Sequence, residues 1–281
     1  MKILITGSSG FIGNSLFKEL SPYNELFRLD IVKPADAENF FEIDLLKPEN
    51  VEIATRNFKT DNISVLIHCA SILATGENHR DINLLSNNLR ITESVIKIAN
   101  ALHLQKLINL STIGVYPSTD GIYNEKSEIR PSQNFEALYG LSKFCSEELF
   151  TFMLNETKTK VVNLRLAQTI GEGMRNDRIY SIMLNELLDS NKITVWGNGE
   201  RISSFMTIEF LINKIKAIIG NDNIIGLFNI GEKNISYLEL AKDIILNHGN
   251  PDSKIVIIES GQKSKFYLDV SKIEKILTKP D

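Results

Sequence analysis

Short apolar segments alternate with longer segments of helical spacing over the first 166 residues of the chain. The predicted strands are residues 2–6, 26–31, 62–70, 106–111 and 160–166. The predicted helices, whose apolar positions recur at helical spacing, are residues 11–20, 84–102 and 138–154. The third strand segment shows no alternation of apolar and polar residues, which is typical of a strand buried on both faces. This order predicts an α/β fold with a doubly wound parallel sheet covered by helices on both sides.

After residue 166 the pattern becomes irregular, and turn-rich segments separate the remaining elements. These elements are predicted helices at residues 179–188, 208–219 and 236–247 and a short strand at residues 226–230. Ser236 is expected to cap the last of these helices, and Glu239 completes a capping box with it. The last third of the chain therefore predicts a smaller lobe of mixed structure.

The predicted domain division follows from this change of pattern. We expect a dinucleotide-binding domain over residues 1–167, to which residues 206–231 return. We expect a small substrate-binding lobe over residues 168–205 and 232–281. No Pro/Gly/Ser-rich linker separates the two parts in the sequence, so the small lobe is expected to pack tightly on the first domain.

Composition and charge exclude several classes of protein. The chain has 281 residues, 43% of them hydrophobic and 23% charged, which is ordinary for a soluble globular protein. The net charge of −4 argues against a protein that coats nucleic acid or an anionic membrane. Two cysteines form neither a disulfide framework nor a metal-ligand cluster, so we expect two free thiols and no metal site. The N-terminal apolar run is too short for a signal peptide, and no apolar run is long enough to span a bilayer, which predicts a cytoplasmic location.

A glycine-rich loop follows the first predicted strand and opens the first predicted helix. Glycines at positions 7, 10 and 13 suit a tight turn, a close approach of the backbone to a pyrophosphate, and close packing of helix on strand. The free amide groups and positive dipole end at the helix N-terminus favour an anion there. The context of strand, loop and helix predicts a Rossmann-type site for a dinucleotide. The predicted contacts of the loop are Gly7, Ser9, Gly10, Phe11 and Ile12.

An acidic residue ends the second predicted strand. Asp30 lies 17 residues after Gly13, at the position from which a carboxylate accepts hydrogen bonds from the adenosine ribose hydroxyls. No arginine follows it directly, and Lys33 is the one cation near enough to suggest a 2′-phosphate. Asp30 therefore favours NAD over NADP as the cofactor.

The candidate catalytic pair lies near the start of the helix at residues 138–154. Tyr139 and Lys143 are four residues apart in the segment YGLSK, so they share one face of that helix. An unperturbed tyrosine is a poor base at neutral pH, since its pKa is about 10. A neighbouring ammonium group and a positively charged nicotinamide would favour the phenolate. We therefore predict that Lys143 lowers the pKa of Tyr139 and also binds the nicotinamide ribose. Ser111 and Thr112 end the preceding strand, where a hydroxyl would meet the substrate.

These motifs resemble those of the extended short-chain dehydrogenases/reductases, in particular the NAD-dependent sugar epimerase/dehydratase family. TGSSGFIG resembles the family's glycine loop, and the segment LSTIGVY resembles its SSxxVYG segment, which implies Thr112 as the catalytic hydroxyl. The resemblance implies Tyr139 as the catalytic acid or base and Lys143 as its partner. It also implies further cofactor contacts at Asp44, Leu45, Ala70 and Asn88.

The sequence departs from the family pattern where relatives hold the substrate. Gln168 stands where an asparagine is usual, and Ser203 and Ser204 replace an arginine and an aspartate. The acidic pair that dehydratases carry after the catalytic threonine is replaced by Ile113 and Gly114. Cofactor chemistry therefore transfers better than substrate identity. The predicted substrate contacts are Ser71, Ser111, Gln168, Arg178 and Arg201.

The arginines among these contacts have a plainer alternative. The guanidinium groups of Arg178 and Arg201 would match the oxygens of a substrate phosphate. Each arginine is equally well read as a solvated surface side chain.

These observations predict an NAD-dependent enzyme that transfers a hydride at a carbon of a nucleotide-activated sugar. A nucleotide-sugar 4-epimerase is the first reading, and a 4-keto-6-deoxy-sugar reductase is the alternative. A regulator that senses NAD(P) without catalysis is a third reading, because fold does not fix function. The resemblance also implies a homodimer formed through residues 89–102 and 143–153.

Overall fold

The computed structural model describes residues 1–35, 38–59 and 61–278, and in these residues the main sheet has seven parallel strands. In chain order they are β1 (Lys2–Thr6), β2 (Glu25–Asp30), β3 (Phe40–Glu42), β4 (Val65–His68), β5 (Lys106–Thr112), β7 (Lys160–Leu166) and β11 (Gly226–Ile230). The spatial order is β11-β7-β5-β4-β1-β2-β3, so the chain runs outward in one direction from β1 and then in the other. This reversal beside β1 opens a crevice at the carboxyl edge of the sheet, where such folds bind ligands.

Helices cover both faces of the main sheet. They are α1 (Phe11–Leu20), α2 (Pro48–Phe58), α3 (Ile82–Leu102), α4 (Ala137–Met153) and α6 (Ile208–Gly220). The alternating side chains of β1 show the two faces, since Ile3 and Ile5 pack with α1 and α6 while Leu4 packs with α2 and α3. The sheet is therefore buried on both sides, as the unbroken apolar strands predict.

The remaining elements within the described residues form three small sheets and further helices. The small strands are β6 (Gly121–Tyr123), β8 (Gln168–Ile170), β9 (Lys192–Trp196), β10 (Ile202–Thr207), β12 (Lys233–Ser236), β13 (Lys254–Ile258) and β14 (Phe266–Leu268). Their pairings are β8 with β10 and β12, β9 with β13, and β6 with β14. Helices α5 (Ile179–Ser190) and α7 (Tyr237–His248) pack on these sheets, whereas α8 (Ser271–Leu277) packs against β11 of the main sheet.

The small lobe has a core of its own, in which residues of α5, β9, β10 and α7 pack around Met183, Val195 and Leu240. The predicted capping box is confirmed, because the Ser236 hydroxyl accepts from the Glu239 amide and the Glu239 carboxylate accepts from the Ser236 amide. The fold class predicted from the sequence is confirmed as well.

The domain boundaries stay a prediction. The last three residues of the predicted small lobe, 279–281, lie outside the described residues. Strand β11 and helix α6 pack with the main sheet, which agrees with the expected return of residues 206–231. Strand β10 instead pairs with β8 and β12, so its end at Met206 and Thr207 belongs to the small lobe by hydrogen bonding. Within the described chain, no helix has the length and apolar character needed to cross a membrane.

Candidate active site

The glycine loop between β1 and α1 is shaped by contacts that no side chain would allow. Gly7 has φ +67°, and a Cβ there would lie 2.5 Å from the backbone nitrogen of Ala70. A Cβ at Gly13 would lie 2.1 Å from the carbonyl oxygen of Gly7. A Cβ at Gly10 would meet that same oxygen at 3.4 Å, an ordinary contact, so the fold itself does not require this glycine. Gly10 caps α1, where it leaves open space for a ligand beside the free amides of the first turn.

Asp30 ends β2 next to this loop. Its carboxylate accepts from the backbone amide of Ser9 at 2.8 Å and from the amides of Ile31 and Val32 at 2.7 and 3.2 Å. The Ser9 hydroxyl donates to the carbonyl of Val32 at 2.5 Å. These bonds join the glycine loop to the end of β2, so that the carboxylate faces the crevice in a defined position.

A single large cavity joins the glycine loop to the small lobe. Its volume is about 1160 Å³, which exceeds the roughly 300–1,000 Å³ of a site for one small ligand. The predicted site residues that line it are Gly7, Ser9, Gly10, Phe11, Ile12, Asp30, Asp44, Leu45, Ala70, Ser71, Ser111, Thr112, Tyr139, Lys143, Gln168, Arg178 and Arg201. The cavity therefore brings the predicted cofactor, catalytic and substrate residues together around one space.

All predicted site residues lie in the described part of the chain. Of these residues, only Asn88 does not line the cavity. Its side chain is buried, and its carbonyl accepts from the Ile72 amide at 2.8 Å and from the Ser71 hydroxyl at 3.3 Å. Its amide group donates to the Ile72 carbonyl at 2.9 Å. Asn88 thus fixes the loop after β4 from behind, and a direct contact with the cofactor stays a prediction.

Tyr139 faces the cavity from the first turn of α4. Burial is the main reason why its pKa is raised to about 12, and the Glu136 carboxylate raises the pKa further. A side-chain hydrogen bond with Ser71 and the positive charges of Arg178 and Arg175 lower it. The phenol is therefore protonated in the resting protein. The sequence predicts that Lys143 lowers this pKa, but in the structure Ser71 and the two arginines do so.

Lys143 lies one turn further along α4 and is buried. Its ammonium nitrogen lies 5.9 Å from the centre of the Tyr139 ring. Burial lowers the pKa of Lys143 to about 8, while the neighbouring Cys69 and Glu147 oppose the change. The ammonium group therefore stays mostly charged at neutral pH. Among the described residues no carboxylate forms an ion pair with it, which suits a donor to ligand hydroxyls.

Two adjacent hydroxyl residues end β5 and face different surroundings. The Thr112 hydroxyl accepts a hydrogen bond from the Gly114 amide at 3.0 Å, which leaves its own proton free to donate into the cavity. The Ser111 hydroxyl donates instead to the buried carboxylate of Glu147. Thr112 is therefore the better placed of the two to meet a substrate oxygen, and Ser111 as a substrate contact stays a prediction.

Glu147 is part of a buried polar network behind the catalytic pair. Arg165 forms an ion pair with it at 2.6 Å and donates to the phenol oxygen of Tyr116 at 2.9 Å. Tyr116 donates in turn to the side chain of Asn229 at 2.8 Å. The network ties α4 to β5, β7 and β11, so it holds the helix that carries Tyr139 and Lys143 against the sheet.

The small lobe contributes the other wall of the cavity. The Gln168 amide donates to the Ser203 hydroxyl at 2.8 Å, so two positions that depart from the family pattern contact each other. The Arg201 guanidinium lies 5.0 Å from the centre of the Tyr237 ring, a cation–π distance. Arg178 forms an ion pair with Glu136 at 2.8 Å. The two predicted phosphate-binding arginines therefore line the cavity, and their binding role stays a prediction.

Sequence reasoning missed Glu136 and Arg175, which both act on the pKa of Tyr139. Glu136 directly precedes α4 and stands three residues before Tyr139, a spacing that could have pointed to it. Arg175 lies on a loop between β8 and α5, and no pattern in the sequence connects that loop with the tyrosine.

The sequence pattern of the NAD dependent epimerase/dehydratase family matches residues 3–231, which include the glycine loop, Thr112, Tyr139 and Lys143. The chain belongs to this family. It is 24% identical over 297 residues to a protein of Bacillus subtilis (strain 168) described as an uncharacterized UDP-glucose epimerase, with 99% of this chain and 92% of that protein covered. It is 27% identical over 247 residues to the dTDP-4-dehydro-6-deoxyglucose reductase of Escherichia coli, with 82% and 76% covered.

A solved structure shares the fold of this family member. The UDP-glucuronic acid 4-epimerase of Bacillus cereus, crystallised with UDP-glucuronic acid and NAD, superposes with a TM-score of 0.80. The alignment covers 100% of this chain and 94% of that one at 24% sequence identity. At this identity the likeness shows the fold.

The residues of this family member fit NAD, the cofactor after which the family is named. The glycine loop leaves the N-terminus of α1 open toward the cavity, as a pyrophosphate requires. Asp30 would accept from the adenosine ribose, and Lys143 would donate to the nicotinamide ribose. The cavity continues past both toward the small lobe, so it has room for a second ligand beside the cofactor.

Proposed function

We propose that this family member interconverts the C4 epimers of a nucleotide-activated sugar. The observation that carries the proposal is the convergence of Thr112, Tyr139 and Lys143 on one cavity that runs from the glycine loop to the small lobe. The sequence similarity to the Bacillus subtilis protein, which spans nearly the whole of both chains, supports it.

The chemistry assigned to the three side chains follows from their surroundings. NAD, when bound, supplies the acceptor and later the donor of the hydride at C4. Thr112 donates its free hydroxyl proton to the substrate oxygen and orients it. Tyr139 acts as the base in its phenolate form, after the resting phenol has released its own proton to solvent; it then takes the proton of the C4 hydroxyl as the hydride leaves and returns it when the ketone is reduced. The positive charge of a bound nicotinamide would add to Arg175 and Arg178 in lowering the pKa of Tyr139 from its resting value and so would favour that phenolate.

An epimerase places a particular demand on its cofactor site, because the same hydride must return to the other face of the sugar. The cofactor therefore has to stay bound through the cycle. Asp30, held by three backbone amides at the end of β2, supports tight binding of NAD. It would repel the 2′-phosphate of NADP.

The second candidate function is reduction of a nucleotide-linked 4-keto-6-deoxy-sugar. The observation that favours it is the pair Ser203 and Ser204, which supply no charge where the sequence pattern of epimerases has an arginine and an aspartate. Similarity to the Escherichia coli reductase also supports this candidate. The two candidates share the catalytic residues and differ in whether the cofactor exchanges at each turnover.

The test uses the purified protein with UDP-, GDP-, CDP- and dTDP-sugars and no added cofactor, and it follows the configuration at C4 by NMR. Interconversion without a net change in the absorbance of reduced nicotinamide supports the epimerase. Stoichiometric consumption of added NADH or NADPH with a 4-keto-sugar would establish the reductase instead.

The predicted homodimer and the cytoplasmic location belong to this proposal as well. The exposed side chains of Phe152 and Met153 at the end of α4 support an interface on the α3–α4 face. The measurement is the molar mass in solution by light scattering, and a monomer at micromolar concentration would exclude a stable dimer.

A further inference from the structure

Three loops meet at the mouth of the cavity and contact one another in a closed ring. They are residues 71–79 after β4, residues 133–136 before α4, and residues 174–178 before α5. We name them together the clasp. Each loop contributes residues to the cavity wall, and the third comes from the small lobe while the other two come from the main domain.

Each pair of loops is joined by one specific contact. The ring of His79 stacks on that of Phe135, with centres 4.2 Å apart and planes at 23°. Glu136 forms its ion pair with Arg178 at 2.8 Å. The Arg175 guanidinium donates to the Ala74 carbonyl at 2.9 Å. The ring is therefore complete, since the first loop touches the second, the second touches the third, and the third touches the first.

The clasp is also fixed to the reacting groups. Ser71 in the first loop hydrogen-bonds Tyr139. The Asn134 amide in the second loop donates to the Gly114 carbonyl at 3.1 Å and to the Tyr116 carbonyl, just after Thr112. A movement of the loops would therefore change the positions of both catalytic hydroxyls.

Phe135 has an unusual position for a large apolar side chain. Its side chain is 66% exposed, although it is large and apolar and lines the cavity mouth. Its stacking partner His79 projects from the opposite loop, so the pair joins two loops beside the cavity without belonging to the hydrophobic core of the described residues. A stack between two loops serves closure better than it serves stability.

We propose that the clasp retains the oxidised sugar during the proposed reaction, with Phe135 and His79 as positioning residues; this inference rests on the proposed function. When C4 is oxidised, the C4–H bond breaks, its electron pair passes with the hydrogen to the nicotinamide, and Tyr139 receives the hydroxyl proton. The 4-keto-sugar must then turn over within the cavity. If it leaves first, the protein keeps a reduced cofactor and that cycle is lost.

Retention by the clasp would compensate for the missing charges at Ser203 and Ser204. These two residues supply no charged group to the nucleotide diphosphate, where the family pattern has an arginine and an aspartate. A mouth closed by three loops holds the sugar by enclosure rather than by charge.

The experiment compares the unmodified protein with Phe135→Ala, with Phe135→Tyr as the conservative variant and Tyr23→Ala as the control. Tyr23 is 78% exposed after α1, outside the cavity and the proposed dimer face, so its truncation tests the loss of an exposed aromatic side chain as such. The first measurement is amide hydrogen exchange in the NAD-bound protein. Phe135→Ala should speed exchange in residues 71–79 and in residues 174–178 by about two- to tenfold, the range that corresponds to loss of one aromatic pair. The second measurement is the amount of free 4-keto-sugar and of bound NADH formed per epimerisation, which should rise by a similar factor.

The outcomes separate the parts of the inference. Faster exchange in both loops and greater release of 4-keto-sugar, both reversed in Phe135→Tyr and absent in Tyr23→Ala, support the clasp. Faster exchange limited to residues 131–136 would overturn it as a coupled unit. Faster exchange with unchanged release would overturn the retention role. If the unmodified protein converts no nucleotide sugar, the proposed function fails; retention is then tested on NAD dissociation, which faster loss from Phe135→Ala supports and an unchanged rate overturns.

Discussion

Replacement of Lys143 by methionine should stabilise the folded protein and disable it at the same time. Lys143 is buried, and burial lowers its pKa from 10.5 to about 8. Below pH 8 Lys143 is protonated in both the folded and the unfolded protein. In the folded protein, burial of the charged group costs free energy and so lowers the free energy of unfolding. At about 1.4 kcal/mol per pKa unit, this cost at pH 7 is on the order of 3 kcal/mol. Methionine fills similar space without a charge, so Lys143→Met should gain up to that amount.

The sign of the pH dependence follows from the same shift. Between pH 8 and 10.5 the unfolded protein binds more protons at this residue than the folded protein, so the stability of the unmodified protein rises there relative to the variant. Burial also raises the pKa of the Cys69 thiol to about 12, which acts in the opposite direction above pH 9. The useful quantity is therefore the difference in free energy of unfolding between the two proteins, which should be largest at pH 7 and should shrink as the pH rises toward 10.5.

The assay is urea unfolding of both proteins at pH 7, 8 and 9 without ligand, with the exposed Lys158 replaced by methionine as the control. Titration of NAD into the folded proteins should show weaker binding to Lys143→Met, because the ammonium donor to the ribose is gone. A variant that is less stable than the unmodified protein at pH 7, or a stability difference that does not change with pH, would refute the reasoning about the buried charge. In active sites generally, residues needed for function often lower the stability of the fold, and Lys143 is expected to do the same.

Three further predictions concern single substitutions in the site. Tyr139→Phe should leave NAD affinity nearly unchanged in calorimetry and lower turnover by about 100- to 10,000-fold, the usual contribution of a positioned acid or base, and wild-type turnover would refute the assignment. Asp30→Ala should narrow or reverse the preference for NAD over NADP in the same titrations, whereas tighter NADP binding to the unmodified protein would assign Lys33 to its phosphate. Glu136→Gln should move the Tyr139 limb of the pH–rate profile to lower pH, because Glu136 raises the pKa of Tyr139, and an unmoved limb would contradict that electrostatic role.

Elements with strong local signals could be predicted from the sequence. Strands β1, β7 and β11 begin and end at the predicted residues, because each is a short run in which apolar residues predominate. The capping box at Ser236 depends on residues three apart, which a sequence shows directly. The glycine loop is also local, since strand, turn and helix follow one another within its few residues.

Elements that depend on distant partners could not be predicted. Strand β9 pairs with β13, whose residues lie about sixty positions later, and this pairing between distant segments leaves no local pattern in the sequence. The helix Pro48–Phe58 was missed because charged and polar residues interrupt its apolar face. A lone tryptophan usually packs in the interior, but the side chain of Trp196 is 58% exposed because β9 ends there and the chain turns at Gly197, which has φ +64°.

The same distinction applies to the candidate site. Residues on the glycine loop, β5 and α4 were found because their spacing is fixed within one loop, strand or helix. The contacts that set the pKa of Tyr139 were not found, because Arg175 and Arg178 reach it from the other lobe. The role of Asn88 behind the loop after β4 is likewise visible only in the fold.

The central claim is that one resident cofactor removes and returns the same hydride at C4. It is tested most directly with a nucleotide sugar that carries deuterium at C4, incubated with the purified protein and an excess of unlabelled NADH in solution. The account predicts that both C4 epimers keep the deuterium at C4 and that none appears in the soluble NADH. Loss of deuterium from C4 with its transfer to the soluble cofactor would contradict it, because the cofactor would then exchange during each turnover.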